Sequence, residues 1–95
     1  MPAESEGRAR QGKATERRIA VVGILVEDRL RAVPKVNEIL SSHADMILGR
    51  MGVPYREKNI AVIALIVDGT TDEIGSLTGK LGSLPGVKVR SAVTA

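Results

Sequence analysis

Two segments of this 95-residue chain are apolar at every position for eight residues: Ile19-Ala-Val-Val-Gly-Ile-Leu-Val26, counting Gly23, and Ile60-Ala-Val-Ile-Ala-Leu-Ile-Val67. A β-strand sends successive side chains to opposite faces, so strands made of such runs are apolar on both faces of their sheet. The rest of the pattern supplies only two helices, and two helices cover one face. The other face needs a second cover, most economically another copy of the same chain. The expectation is a homo-oligomer, dimer or tetramer, assembled through the helix-free face of the sheet.

The remaining elements follow in order. Residues 1–17 are rich in Gly, Ala, Ser and charge and have no hydrophobic period, so they read as a disordered basic tail, with 18–95 as the domain. The first strand is expected over 18–27. A helix follows, with Val33, Val36, Ile39 and Leu40 as its apolar positions. Pro34 suits a first helical turn, which puts the start near 31–33 and the end by His43 or Ala44. A second strand over about 45–52 mixes Met46, Leu48 and Met51 with Gly49, Arg50 and Gly52. The polar stretch Pro54 to Asn59 then turns the chain into a third strand, 60–68.

Thr70 with Glu73 three residues later fits a capping box, and Asp72 beside Glu73 suits the dipole of a helix starting there. That helix runs to about Ser83 with Ile74, Leu77, Leu81 and Leu84 on one face. Pro85-Gly86 turns into a fourth strand, where Val87, Val89 and Val93 alternate with Lys88, Arg90 and Ala92. The order β-α-β-β-α-β is that of an α+β, ferredoxin-like sandwich, with antiparallel sheet order 4-1-3-2 and two helices on one face. The two fully apolar runs then occupy the centre, and the alternating fourth strand an edge.

Composition removes several functions of such a fold. Tyr55 is the sole aromatic, so a nucleic-acid platform of stacked aromatics is excluded. With no cysteine there is no disulfide, thiol redox chemistry or thiolate-held metal. The net charge of +3 is concentrated in the first 18 residues, where Arg8, Arg10, Lys13, Arg17 and Arg18 outnumber Glu4, Glu6 and Glu16. Such a tail reads as solubilising, and the alternative is a transcription regulator contacting DNA through it. It has no apolar stretch to serve as a secretory signal, and no segment has the ~20 apolar residues of a membrane span, so a cytoplasmic location is expected.

No catalytic pair can be drawn from one histidine and scattered hydroxyls, and the chain reads as non-enzymatic, with no cofactor and no metal. His43, the only imidazole, suits a helix cap. Asp72 and Glu73 are explained by capping. The segment Glu27 to Val33 holds Arg29 and Arg31 but no glycine, so it offers no phosphate cradle. For a small ligand or partner protein, the candidates are Arg50, Tyr55 and Arg56 around the second hairpin, with Arg29 and Arg31 after the first strand. Arginine beside tyrosine offers a planar donor fork and an amphipathic ring. Gly75, Gly79 and Gly82 form a smooth stripe along the second helix, expected as close-packing positions for the first helix, another subunit or a ligand.

The segment Asp68-Gly-Thr-Thr-Asp-Glu-Ile-Gly-Ser-Leu-Thr-Gly-Lys-Leu-Gly-Ser-Leu-Pro-Gly-Val-Lys-Val89, with Ile47-Leu-Gly-Arg-Met-Gly-Val-Pro-Tyr-Arg56, resembles a specific small family. These are the regulators ascribed to the iron-only hydrogenase system, distant relatives of ACT domains. The resemblance covers about 18–94 and implies an ACT-type, ferredoxin-like oligomer with a regulatory role, a hydrogenase-maturation protein being one possible partner. The stretch Gly69 to Val89 is also loosely similar to the C-terminal domain of nickel-responsive regulators. The region matching their metal-binding hairpin, Gly49 to Val62, holds no His or Cys, so no metal ligand carries over.

Overall fold

A computed structural model describes residues 16–95. The elements are β1 (Arg17–Glu27), α1 (Arg29–Ser42), a 3-10 turn at Ala44–Met46, and β2 (Ile47–Tyr55). A second 3-10 turn at Arg56–Lys58 leads to β3 (Ile60–Thr70), α2 (Thr71–Gly82) and β4 (Val87–Val93). The tail expected over 1–17 lies, as far as residue 15, outside the described residues. Among the described residues, no helix is long and apolar enough to cross a membrane.

The four strands form one antiparallel sheet in the order β2-β3-β1-β4, the expected 4-1-3-2 order read from its other edge. The two apolar runs are its central pair, in register from Arg17↔Thr70 to Glu27↔Ile60. Alternation divides each run between two environments. Ala20, Val22, Ile24 and Val26 of β1 and Ala61, Ile63, Leu65 and Val67 of β3 are buried beneath the helices. α1 meets them with Ala32, Val36 and Leu40, and α2 with Ile74, Leu77 and Leu81. Their neighbours Val21, Val62 and Ile66 point the other way and keep 43%, 45% and 47% of their surface exposed.

The boundaries differ from expectation in three places, each for a local reason. α1 starts at Arg29, because Asp28 adopts a left-handed conformation (φ 53°) that turns the chain sharply off the strand. The Asp28 carbonyl then accepts from the N–H groups of Arg31 and Ala32, both at 3.0 Å. Pro34 is consequently inside the helix, where its missing N–H leaves the carbonyl of surface-exposed Leu30 without its helical donor. β2 begins later and runs further than expected, from Ile47 to Tyr55, with a register shift between Ile47 and Gly49. It is an edge strand, which tolerates Pro54, and it pairs with β3 as far as Tyr55↔Ile60. The hairpin turn shrinks to Arg56–Lys58 plus Asn59, itself left-handed at φ 55°.

The capping box at α2 forms as the sequence implies. The Glu73 N–H donates to Thr70 Oγ1 (3.1 Å), and the Thr70 N–H donates to Glu73 Oε1 (2.8 Å). Arg17 braces this end of the sheet, with Nε 3.1 Å from Asp68 Oδ1 and Nη1 3.4 Å from Glu73 Oε1. Exposed pairs of this kind contribute on the order of 0.2–1 kcal/mol each. Burial of the two inner faces holds the fold.

Candidate functional site

The two left-handed residues, Asp28 and Asn59, meet at one end of the sheet. The Arg29 N–H donates to the Asn59 carbonyl (3.0 Å), and Asn59 Nδ2 donates to Asp28 Oδ1 (3.3 Å). The turn after β1 and the β2–β3 hairpin are thereby tied into one corner, which gathers Arg29 with the segment bearing Tyr55 and Arg56. Arg29 is half-buried, and its Nε has no hydrogen-bond partner. Tyr55 lies on the helix-free face, 44% exposed, with Lys58 Nζ 5.9 Å from its ring centre.

Two of the expected residues stand apart from that corner. Arg50 reaches over the helical side from β2, and its Nη2 donates to Asn37 Oδ1 of α1 (3.0 Å). Arg31 points toward the α2–β4 turn, exposed, with Nε 3.7 Å from Asp28 Oδ2. The five candidates therefore form no single cluster.

Arg31 instead borders a depression of about 390 Å³ between the β1–α1 turn and the α2–β4 turn. It is lined by Ala32, Leu84 and Pro85 and by the charged Asp28, Arg31 and Lys35, while the Glu27 carboxylate turns to the other face of the sheet, 3.5 Å from Lys88 Nζ. The two turns are fixed to each other, because the Glu27 N–H donates to the Gly86 carbonyl at 2.7 Å. Gly86 is required there: its φ is 77°, and an added Cβ would sit 3.4 Å from the Glu27 carbonyl oxygen. A carboxylate and two cations beside apolar side chains suit a small molecule that carries both signs of charge.

Sequence reasoning had Arg31 in view but missed Asp28 and Lys35. The one local signal was Asp28 itself, a residue type that tolerates left-handed backbone directly after a strand.

His43 caps α1, its Nδ1 2.9 Å from the Ile39 carbonyl oxygen and 3.1 Å from Ser42 Oγ. Among the described residues, no three His, Cys, Asp or Glu side chains gather in a metal-binding cluster. Gly75, Gly79 and Gly82 do not pack against α1: a Cβ on any of them would meet nothing within 4 Å. α2 lays its Ile74–Leu77–Leu81 stripe on the sheet, which turns the glycines toward an open trough of about 590 Å³ above β4. The part of the basic tail invoked for DNA lies largely outside the described residues.

Comparison with known proteins places this geometry. Residues 18–91 match the family described as "TM1266-like: Iron-only hydrogenase system regulator, putative". The chain belongs to this family. Among solved structures it is similar to the uncharacterized protein TM1266 from Thermotoga maritima, at 42% identity and a TM-score of 0.81, over 84% of this chain and 100% of that one.

Fold likeness reaches further. The ACT domain from GTP pyrophosphokinase of Chlorobium tepidum superposes with a TM-score of 0.66 at 21% identity, over 83% of this chain and 90% of that one. The regulatory subunit of aspartate kinase from Thermus flavus does so with a TM-score of 0.51 at 16% identity, over 86% of this chain and 60% of that one. These likenesses establish an ACT-like fold. Among curated proteins, none matches the chain.

Proposed function

We propose that this member of the family is a non-enzymatic regulatory or sensor module of the iron-only hydrogenase system. Its ligand is a small molecule with both an anionic and a cationic group. It binds between the β1–α1 and α2–β4 turns, and a partner protein of that system reads the liganded state. The observation that carries the reading is the set of opposite charges, Asp28 against Arg31 and Lys35, beside the apolar Ala32, Leu84 and Pro85. The family description and the ACT-like fold support a regulatory role.

The surface arginine and lysine have little to gain from each other there, and Arg31 is only loosely engaged by Asp28 at 3.7 Å. A ligand carboxylate can replace that contact with a two-pronged one, while Asp28 receives its cationic end. Thermal melting of the full chain against a panel of amino acids and other small zwitterions tests this. A true ligand at a hundredfold excess over its dissociation constant adds about 2.7 kcal/mol. For a domain of this size that raises the melting temperature by roughly 10 °C or more. Arg31→Ala and Lys35→Ala should each abolish most of that rise. If no compound of this class shifts the melting point, the small-ligand reading fails.

A further inference from the structure

The helix-free face of the sheet is apolar where a solvated face would alternate with charge. Val21, Met51, Val53, Tyr55, Val62 and Ile66 all project from it, each between 43% and 67% exposed. At half exposure a side chain of Tyr55's size offers on the order of 100 Å² and the smaller aliphatic ones less, so the six present roughly 500 Å². The half-buried Ile19, Leu25 and Ile60 and the stems of nearby cations add to that. A stable interface takes ~800 Å² from each partner, which is within reach of this face and nearly exhausts it.

Gly23 sits in the middle of the same face, on a central strand. A Cβ there would meet only the Arg90 carbonyl oxygen, at 4.0 Å, so the chain's own packing does not call for glycine. A glycine inside a strand weakens it, and it suits a place where another backbone approaches closely.

The two edges of the face differ in a way that identifies the occupant. On the β4 edge, Lys88 and Arg90 stand opposite Leu25 and Gly23 and share their face. On the β2 edge, Gly49, Met51, Val53 and Tyr55 carry no charge. We propose that a second copy of the chain packs its sheet on this one, about a two-fold axis running along the strands, so that β4 of each copy lies over β2 of the other. That rotation places the stems of Lys88 and Arg90 over Met51, Val53 and Tyr55 of the facing copy, where the methylenes find apolar contact and the cations an aromatic ring. The alternative two-fold, across the strands, stacks β4 on β4 and crowds Arg90 and Lys88 of both copies into one seam, where Glu27, 3.5 Å from Lys88, offsets only part of the charge. Each copy thus carries both halves of a matching pair of edges, as an interface between identical chains requires. The proposal is independent of the ligand depression, which opens on the helical side.

Gly23 pairs with both Arg90 and Ala64, and Ala64 with Met51, so Arg90 and Met51 end the same cross-strand row. The proposed axis brings them together between copies. Because the full chain has no cysteine, this is directly readable. Arg90→Cys chains mixed with Met51→Cys chains should form an oxidised cross-link, and Arg90→Cys chains alone should not. Sedimentation should find the unmodified chain as a dimer or an even multiple of it at micromolar concentration. Val62→Lys should raise the dissociation constant about tenfold or more while the circular dichroism stays native. Should Val62→Lys fail to fold, Met51→Glu, at a strand edge and 67% exposed, reads the same contact. A folded monomeric wild type, an assembly indifferent to Met51→Glu, or self-cross-linking of Arg90→Cys alone would each overturn the proposal.

Discussion

β1 and β3 present nearly the same amino acids to their two faces, yet the faces lead different lives. Toward the helices, Val22, Leu65 and Val67 are wholly buried; one residue along, Val21 and Ile66 are nearly half exposed. Composition does not distinguish the faces, since Ile, Val, Leu and Ala dominate both. Connectivity does, because both βαβ crossovers return on one side and bring α1 and α2 with them. A run apolar at every position therefore encodes two interfaces, and the chain folds around only one of them.

A lysine placed on each face sharpens that contrast most. Val22→Lys puts a charge with no partner into the dry layer between sheet and helices, and the protein should fail to fold, seen as loss of a cooperative thermal transition. Val21→Lys, its immediate neighbour, should keep native far-UV circular dichroism and lose assembly. The parity of the strand decides the outcome, with Val22 and Ile63 pointing inward and Val21 and Val62 outward. If both variants unfold alike, the open face is not free of the fold and the division between faces breaks down.

Two glycines carry the comparison to finer scale. Gly69, on the covered side, lies where an added Cβ would meet Glu73 Oε1 at 3.0 Å and Met46 Cε at 3.1 Å. Met46 can swing its terminal methyl aside, but Glu73 Oε1 is engaged by the Thr70 N–H in the capping box. Gly69→Ala should cost about 1 kcal/mol, by the loss of that cap. Gly23→Ala, on the open side, meets no such obstacle and should leave the folded chain as stable or slightly more so. Chemical denaturation of both variants in dilute solution, below the assembling concentration, gives the difference.

How much of this was legible in the sequence follows the range of the interactions involved. The element order, the central position of the two runs and the Thr70–Glu73 cap all rest on local patterns or on alternation. What lies outside that reach is of two kinds, an unusual local backbone conformation and contacts between distant segments. α1 starts ahead of the 31–33 that Pro34 suggests, because Asp28 takes a left-handed conformation more usual for glycine. β2 was cut short because Gly49, Gly52 and Pro54 weaken its strand signature, while its pairing with β3 supplies what they lack. The candidate arginines were chosen as loop cations. Whether Arg31 faces the hairpin or the α2–β4 turn depends on how two turns dock, and no spacing along the chain records that. Asp28 and Lys35 join Arg31 at one depression only through the docking of those two turns, which the Glu27 N–H bond to the Gly86 carbonyl holds together.

The stripe of Gly75, Gly79 and Gly82 gives the smallest effect and the finest test of what an open surface means. Spacing alone suggested that α1 pressed against it, yet the nearest surroundings of each position are empty. Within the folded chain, nothing then offsets the cost of glycine in a helix interior, up to ~1 kcal/mol relative to alanine. Gly79→Ala should therefore stabilise the protein by about 0.5–1 kcal/mol, raising the denaturation midpoint without changing its slope. The assembly proposed through the opposite face should be unaffected, because α2 lies on the other side of the sheet. A Gly79→Ala variant that is less stable than the parent at assembling concentrations, but not in dilute solution, would mean that the trough above β4 is occupied by another molecule. The comparison would then extend from two faces of the sheet to its β4 edge as well.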